Sequence, residues 1–318
     1  MNIVILERHS VGQDIDVSCF DKLGNAVYYN NTSPDQVAER IKDAHIVIAN
    51  KSPLNAETLK DAANVKYIAE FATGFDNVDL EYCNKRGIKV SNVRNYSTYA
   101  VAQHTFAMLF YLLEHLPHYD SYVKSGEYAG QDRFSNYDMP FTELYGKTWG
   151  IAGMGNIGKE VAKIASAFGC KVITYSTSGN IKDNGYENVD FDRLLSESDF
   201  ISLHCPLTDK TLNLIDKDAL SRMKPTAYLL NVARGKVVNN ADLYDALING
   251  TIRGAGLDVV EEEPIKNTNP LTKIMDSDKL IITPHLGWAS TEARQRCVDI
   301  AYDNVKSFID GNPVNLVN

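Results

Sequence analysis

Along its first hundred residues the chain alternates short apolar runs with stretches whose apolar positions recur at helical spacing. "NIVILE", "HIVIAN", "VKYIAE" and "IKVSN" read as buried strands, and "SPDQVAERIKDA", "NAETLKDAA" and "NVDLEYCNKRG" between them as amphipathic helices. Ser33 ahead of Pro34 and Gln36 marks a helix start, as does Asn55 with Glu57 behind it. Strand and helix in turn predict a parallel sheet with helices on its faces.

From Tyr96 to about Leu116, "YSTYAVAQHTFAMLFYLLEHL" is apolar on most faces and too long for a strand, which predicts a buried helix connecting two domains. The next stretch, "PHYDSYVKSGEYAGQDRFSNYDMPFTELYGK", is rich in aromatics, is interrupted by Gly and Pro, and keeps no period. It reads as a surface loop whose rings suit a subunit contact. A second alternating series starts at "KTWGIAG" and runs through the strands "KVITYS", "FISLHC", "AYLLNVA", "AGLDVV" and "KLIITPH". Helical stretches such as "GKEVAKIASAFG" and "NNADLYDALING" separate them. The last segment, "STEARQRCVDIAYDNVKSFIDG", reads as one amphipathic helix. The fold class expected is therefore α/β, with two doubly wound, Rossmann-like parallel sheets and a cleft between them.

Composition narrows the classes. The chain has 318 residues, 44% of them hydrophobic, enough for two domains that each bury a core. A formal charge of −9 and no cluster of basic residues argue against nucleic acid as a partner. No apolar run reaches the ~18 residues of a membrane span, and the N-terminus lacks the basic region of a signal peptide. The five cysteines, Cys19, Cys83, Cys170, Cys205 and Cys297, are scattered without a CxxC pair, so no metal site is expected and a reducing cytoplasm fits.

Candidate chemistry begins with Gly153, Gly155 and Gly158, a GxGxxG directly after the strand pattern "WGIA" and directly before a helix pattern. Glycine allows the tight turn, the close approach of a pyrophosphate to the backbone and close packing of helix on strand. Asn156 and Ile157 then open a helix whose free N–H groups attract an anion. The following strand ends on Ser176, eighteen residues after Gly158, where a carboxylate would grip the ribose of NAD and repel the 2′-phosphate of NADP. Ser176, Thr177 and Ser178 offer hydroxyls instead. Lys182 could add charge, and the next acid, Asp183, lies far along the loop. Either NAD(H) or NADP(H) is compatible with these residues.

Three further motifs stand at strand ends of the second series: "NVARG" with Arg234, "GLDVVEEEP" with Asp258 and Glu263, and "TPHLGWAS" with His285. Together with "ATGFDNVDL", "VAQHTFAML" and "GMGNIG" they cover essentially the whole sequence. Over that length it resembles the D-isomer-specific 2-hydroxyacid dehydrogenases, most closely their glycerate dehydrogenase and hydroxypyruvate reductase branch. By position in the motifs, the resemblance implies Arg234 as substrate anchor, Glu263 as the carboxylate paired with the acid/base, and His285 as the acid/base itself. The chemistry is coherent without the resemblance. Reduction of a 2-oxo acid needs a hydride donor, a cation for the carboxylate, and a proton for the carbonyl oxygen. Arg234 offers a fixed fork of donors, and a histidine titrates near neutral pH. A carboxylate at Glu263 on the other ring nitrogen favours the imidazolium.

The resemblance also implies that the backbone of Thr73 and Gly74, in "FATGFDN", meets the substrate carboxylate; the local alternative is a plain turn with Asp76 capping a helix. It implies that Asp258 bonds the nicotinamide carboxamide, and that Cys205 and Pro206, with Ala233, line the cofactor side. Trp288 either walls the substrate pocket or packs at the domain joint. His104, in the connecting helix, reads as a satisfied core histidine. A discontinuous substrate domain is expected from 1–98 and 287–318, with the dinucleotide domain at 99–286. The sequence ends soon after the return helix, leaving no room for a regulatory domain. A homodimer is implied, with residues 119 to 146 as candidate contact. The expected reaction is reduction of hydroxypyruvate or glyoxylate. The alternatives are a dehydrogenase of D-lactate or of branched D-2-hydroxy acids, and a non-catalytic nucleotide-sensing module on the same fold.

Overall fold

A computed structural model describes residues 1–179 and 184–318. The protein forms two compact units, Met1–Ser97 with Trp288–Asn318, and Thr98–Gly287.

The first unit is built on a five-stranded sheet of β1 (Asn2–Ile5), β2 (Asn25–Tyr28), β3 (Ile46–Ala49), β4 (Tyr67–Glu70) and β5 (Lys89–Ser91), in the order β2-β1-β3-β4-β5. All its pairings are parallel. Every residue of β3 and β4 is buried, the burial expected of strands covered on both faces and the reason they read as apolar runs, interrupted only by Glu70 at the end of β4. Ser33 and Gln36 form the capping box anticipated at that turn. Asn55 accepts from the amides of Glu57 and Thr58, and Thr58 rather than Glu57 completes its box. The helix Leu80–Arg86 is capped by Asp79, not by Asp76, and stops at Gly87 in the left-handed region (φ 68°). The closing helix, Thr291–Ile309, starts at Ser290 and buries Cys297, Val298, Ala301 and Val305; its Phe308 stacks on Tyr67 at 4.3 Å.

The second unit carries seven strands: β6 (Thr148–Ala152), β7 (Lys171–Tyr175), β8 (Glu187–Asn188), β9 (Phe200–Leu203), β10 (Tyr228–Asn231), β11 (Gly254–Leu257) and β12 (Leu280–Ile282). Their order is β12-β11-β10-β9-β6-β7-β8, again parallel throughout. The long apolar segment is the helix Thr98–Leu113, which buries Phe106, Leu109 and Leu112 on the Trp149 side of the sheet, with Phe106 and Trp149 rings 4.6 Å apart.

Two expectations change. The aromatic segment is not simply a loop: it forms the helices Leu116–Lys124, with Pro117 in the first turn, and Glu127–Gly130. Neither buries a residue, so no apolar stripe was there to be read. The strands β2 and β8 were not anticipated, because both lie at sheet edges and show half-exposed or exposed residues in place of a buried run. Among the described residues, no helix is long and apolar enough to cross a membrane.

Candidate active site

In the second sheet the backbone winds outward from β6 in both directions, to β7 on one side and to β9 on the other, which makes the carboxyl ends of β6 and β9 a topological switch point. Every candidate residue of this unit follows a strand at that same edge. Ser176 comes after β7, the glycines after β6, Cys205 after β9, Arg234 after β10, Asp258 after β11 and His285 after β12. The sheet order thus places the glycine turn and His285 four strand spacings apart, on the order of 19 Å.

The cradle fits a pyrophosphate. Gly153 has φ 98°, and a Cβ there would stand 2.8 Å from the Cys205 amide nitrogen. A Cβ on Gly158 would stand 2.2 Å from the carbonyl oxygen of Gly153, so the helix Asn156–Ala167 can approach β6 only without it. Gly155, the residue that begins this helix, is different: among the described residues nothing lies within 4 Å of its ideal Cβ. A phosphate would fit that space, and among the described residues no side chain caps the helix start. The first glycine and the third are required by packing, and the middle one is left free to face a ligand.

Ser176 and Ser178 hydroxyls are 3.4 Å apart just beyond β7 with Thr177 between them, and no carboxylate ends the strand. Lys182 and Asp183 lie outside the described residues. Cys205 is 2% exposed, and burial pushes its thiol up to about 11, so it packs as an uncharged residue against the cradle. Pro206 accepts a hydrogen bond from the Thr211 hydroxyl at 2.7 Å.

Arg234 leaves β10 in a turn held by Asn231, whose side chain accepts from the Ala233 amide and donates to the Arg234 carbonyl, each at 3.0 Å. The next residue must be glycine: a Cβ on Gly235 would lie 1.8 Å from the Val260 carbonyl oxygen. That contact packs the arginine turn against the loop carrying Glu263. The three acids of that loop are separated by task. Glu261 accepts from the Asn240 amide at 2.8 Å, Glu262 pairs with Lys266, and Glu263 reaches His285. Glu263 follows Val260 closely enough to accept from its amide through Oε1 (3.2 Å), while Oε2 stands 2.7 Å from His285 Nδ1. A carboxylate only accepts, so Nδ1 carries the hydrogen and Nε2 is the nitrogen left for chemistry.

His285 adopts φ 57°, in the left-handed region, which costs a non-glycine residue on the order of 1–2 kcal/mol. Asp258 holds this turn. Its Oδ1 accepts from the Thr283 hydroxyl (2.6 Å) and the Leu286 amide (2.7 Å), its Oδ2 from the Gly287 amide (2.7 Å), and its backbone carbonyl from the His285 amide (2.9 Å). Burial alone would raise the Asp258 carboxyl, but hydrogen bonds from His104, Thr283, Gly287 and Leu286 outweigh it and hold the group below the ordinary carboxylate value. Its carboxylate is therefore already engaged within the protein, a role the sequence did not suggest. Beside Glu263 and His285 lies a cavity of about 530 Å³ whose walls include Val260, Pro264, Ile265 and Ile282, a size and lining suited to a small ligand. Of these, the three aliphatic residues were not singled out in the sequence, where they look like ordinary core.

In the first unit, Thr73 and Gly74 follow β4. The Thr73 hydroxyl donates to the Val93 carbonyl (2.8 Å) and its carbonyl accepts from Asn92 (2.7 Å), while neither the Thr73 nor the Gly74 amide donates a hydrogen bond among the described residues. Trp288 packs edge-on against Tyr96 at 6.1 Å. Glu70, the last residue of β4, belongs to no motif in the sequence and is wholly buried. Its Oε1 accepts from Asn77 at 3.2 Å, and Asn77 also donates to the Ser52 carbonyl at 3.0 Å, stitching the Thr73–Gly74 loop to the loop after β3. Burial pushes the Glu70 carboxyl up to about 8, so it is uncharged at neutral pH.

Residues 106–287 match the family model described as D-isomer specific 2-hydroxyacid dehydrogenase, NAD binding domain. Aligned over 324 residues that cover 100% of both chains, the sequence is 38% identical to a hydroxypyruvate reductase of Blautia hydrogenotrophica. It is 40% identical over 316 residues to a glycerate dehydrogenase of Methylorubrum extorquens, covering 99% of this chain and 98% of the relative. Among solved structures, a D-lactate dehydrogenase from Aquifex aeolicus complexed with NAD and lactic acid superposes with a TM-score of 0.86 at 32% identity, covering 100% of this chain and 99% of that one. A family match over more than half the sequence, joined to whole-length similarity of sequence and fold, shows that this protein belongs to the D-isomer specific 2-hydroxyacid dehydrogenases.

Proposed function

We propose that this protein reduces a short 2-oxo acid to the D-2-hydroxy acid with NAD(P)H, with hydroxypyruvate or glyoxylate as substrate and D-glycerate or glycolate as product. The observation that carries the reading is the 2.7 Å contact between His285 Nδ1 and Glu263 Oε2, at the same sheet edge as the glycine cradle. The names of the two relatives, a hydroxypyruvate reductase and a glycerate dehydrogenase, support the choice of substrate.

In this reading the backbone of Gly153, Gly155, Asn156, Ile157 and Gly158 holds the dinucleotide phosphates. Ser176, Thr177 and Ser178 meet the adenosine ribose, and Cys205, Pro206 and Ala233 line its path. The nicotinamide, when bound, supplies the hydride. Arg234 binds the substrate carboxylate or polarises its carbonyl through two parallel N–H donors. His285 gives the Nε2 proton to the carbonyl oxygen as negative charge develops there, and Glu263 stabilises the imidazolium that precedes that transfer. Thr73 and Gly74 offer amides to the substrate carboxylate, and Trp288 bounds the pocket. Asp258 keeps the His285 turn in place, and its Oδ2, which accepts only from the Gly287 amide among the described residues, has a lone pair left for the nicotinamide carboxamide.

The protein acts as a homodimer in this reading, with the segment 119–146 as contact. Phe134 and Tyr145 there are 86% and 78% exposed, and Tyr128, Tyr137 and Phe141 of the same segment are exposed too, a concentration of rings suited to a subunit contact. A cytoplasmic location accords with five cysteines that are all free. The test is a set of initial rates with NADH and with NADPH against hydroxypyruvate, glyoxylate, pyruvate and 2-oxoisocaproate. Highest kcat/KM for one of the first two supports the reading. A preference for pyruvate or 2-oxoisocaproate replaces the substrate, and dinucleotide binding without turnover on any of the four makes the protein a sensing module.

A further inference from the structure

His104 lies in the helix Thr98–Leu113, within the "VAQHTFAML" motif, and the dehydrogenase reading above gives it no task. Its ring is 20% exposed, and Nε2 stands 2.9 Å from Thr283 Oγ1 and 3.3 Å from Asp258 Oδ1. The direction of these bonds follows from the donors available. The Thr283 hydroxyl hydrogen is committed to Asp258 Oδ1 at 2.6 Å, and an ionised Asp258 only accepts. Both neighbours of Nε2 are therefore acceptors, so His104 carries its hydrogen there whether the ring is neutral or charged. The same two residues flank or grip the His285 turn. Thr283 precedes His285 by two positions, and Asp258 takes the amides of the two residues that follow it. Gly287 closes the cluster: a Cβ there would stand 2.9 Å from Asp258 Oδ2 and 3.6 Å from the His104 ring.

We propose that His104 is a positioning residue for His285, acting through Thr283 and Asp258 to fix the turn that aims His285 at Glu263; the inference rests on the dehydrogenase reading above. Removing the ring leaves Asp258 and Thr283 one donor short at the point where they hold a left-handed backbone. The turn then loosens, and the acid/base nitrogen spends less time where proton transfer needs it. The dinucleotide cradle follows β6, three strands from the strand of Asp258 and four from that of His285, and takes no part in these hydrogen bonds.

The experiment compares wild type with His104→Ala, His104→Gln and Gly287→Ala, all full length. It measures kcat, KM for the 2-oxo acid and for the dinucleotide, the pH profile of kcat, and the thermal midpoint. In His104→Ala, kcat is expected to fall about ten- to a hundredfold, as misplacement of a reacting group does, with the dinucleotide KM held within about twofold. The pH profile of kcat should differ from that of wild type, because the turn that sets the 2.7 Å contact between His285 and Glu263 is loosened. His104→Gln keeps an N–H donor without a titrating ring and should recover most of the loss. Gly287→Ala, which presses on Asp258 from the His285 side, should lower kcat in the same way.

Wild-type kcat and pH profile in His104→Ala would overturn the proposal, as would a loss confined to the dinucleotide KM or one that Gln does not recover at all. If His104→Ala fails to fold, Gly287→Ala decides: reduced kcat supports the role and unchanged kcat removes it. A wild type that turns over while the variants match it overturns only the positioning role. A wild type that turns over no 2-oxo acid overturns the dehydrogenase reading and this role with it.

Discussion

The buried carboxyl of Glu70 makes the stability of the first unit depend on pH in a direction opposite to that of a paired surface acid. Taken from water into a wholly buried position with one hydrogen bond from Asn77, faced by Glu7 and more weakly by Lys51, the group is pushed from 4.5 up to about 8. A carboxyl that binds its proton more tightly in the folded state stabilises that state fully below the unfolded value. It gives that contribution up as pH rises toward the folded one. Moving from 4.5 to about 8 at ~1.4 kcal/mol per pH unit amounts to ~5 kcal/mol, an upper figure because water enters as the group ionises. Glu70→Gln keeps the shape and the acceptor for Asn77 but cannot ionise. Urea unfolding of both proteins at about pH 5.5, 7 and 8.5 should show the variant gaining on the wild type by up to ~1.4 kcal/mol per unit, levelling off above about pH 8. Parallel pH dependences of the two unfolding free energies would refute the reasoning. Because Asn77 ties Glu70 to the loop that carries Thr73 and Gly74, KM for the 2-oxo acid should also rise less with alkaline pH in the variant.

Three further outcomes are expected. His285→Ala should lower kcat for 2-oxo acid reduction by about 10²–10⁴-fold while leaving dinucleotide binding, followed by cofactor fluorescence, unchanged. Gly158→Ala sets a Cβ 2.2 Å from the Gly153 carbonyl, so the cradle must open; titration should show at least about tenfold weaker dinucleotide binding, with ~1–3 kcal/mol lost from stability. Ser176→Asp places a carboxylate after β7 and should lower kcat/KM with NADPH relative to NADH by about tenfold or more, through repulsion of the 2′-phosphate.

Much of the fold was legible because a parallel sheet covered on both faces demands unbroken apolar strands, and runs such as "HIVIAN" or "FISLHC" have no other use. What escaped were elements that bury little. β2 and the helices at 116–130 face water on one or more sides and draw on residues that would suit a loop equally well. The glycine cradle was legible because backbone geometry allows only one residue type at Gly153 and Gly158. The task of Asp258 was not. Its partners are the amides of Leu286 and Gly287, which any residue at those positions would supply, so no side-chain pattern announces the contact. Glu70 was hidden for the related reason that a lone acid at a strand end reads as solvated until burial is known.

By itself the sequence determined the alternation of strand and helix, the position of the phosphate turn, and which residue types stand at strand ends, because these follow from local periodicity and sterics. Only the tertiary structure decided which of those residues meet. His285 and Glu263 lie twenty-two positions apart and come within 2.7 Å because β11 and β12 are neighbours in one sheet. A backbone turn strained at φ 57° persists because a buried carboxylate, with His104 behind it, binds both of its ends. Such contacts depend on strand order and burial, quantities that arise only once the polypeptide has closed on itself.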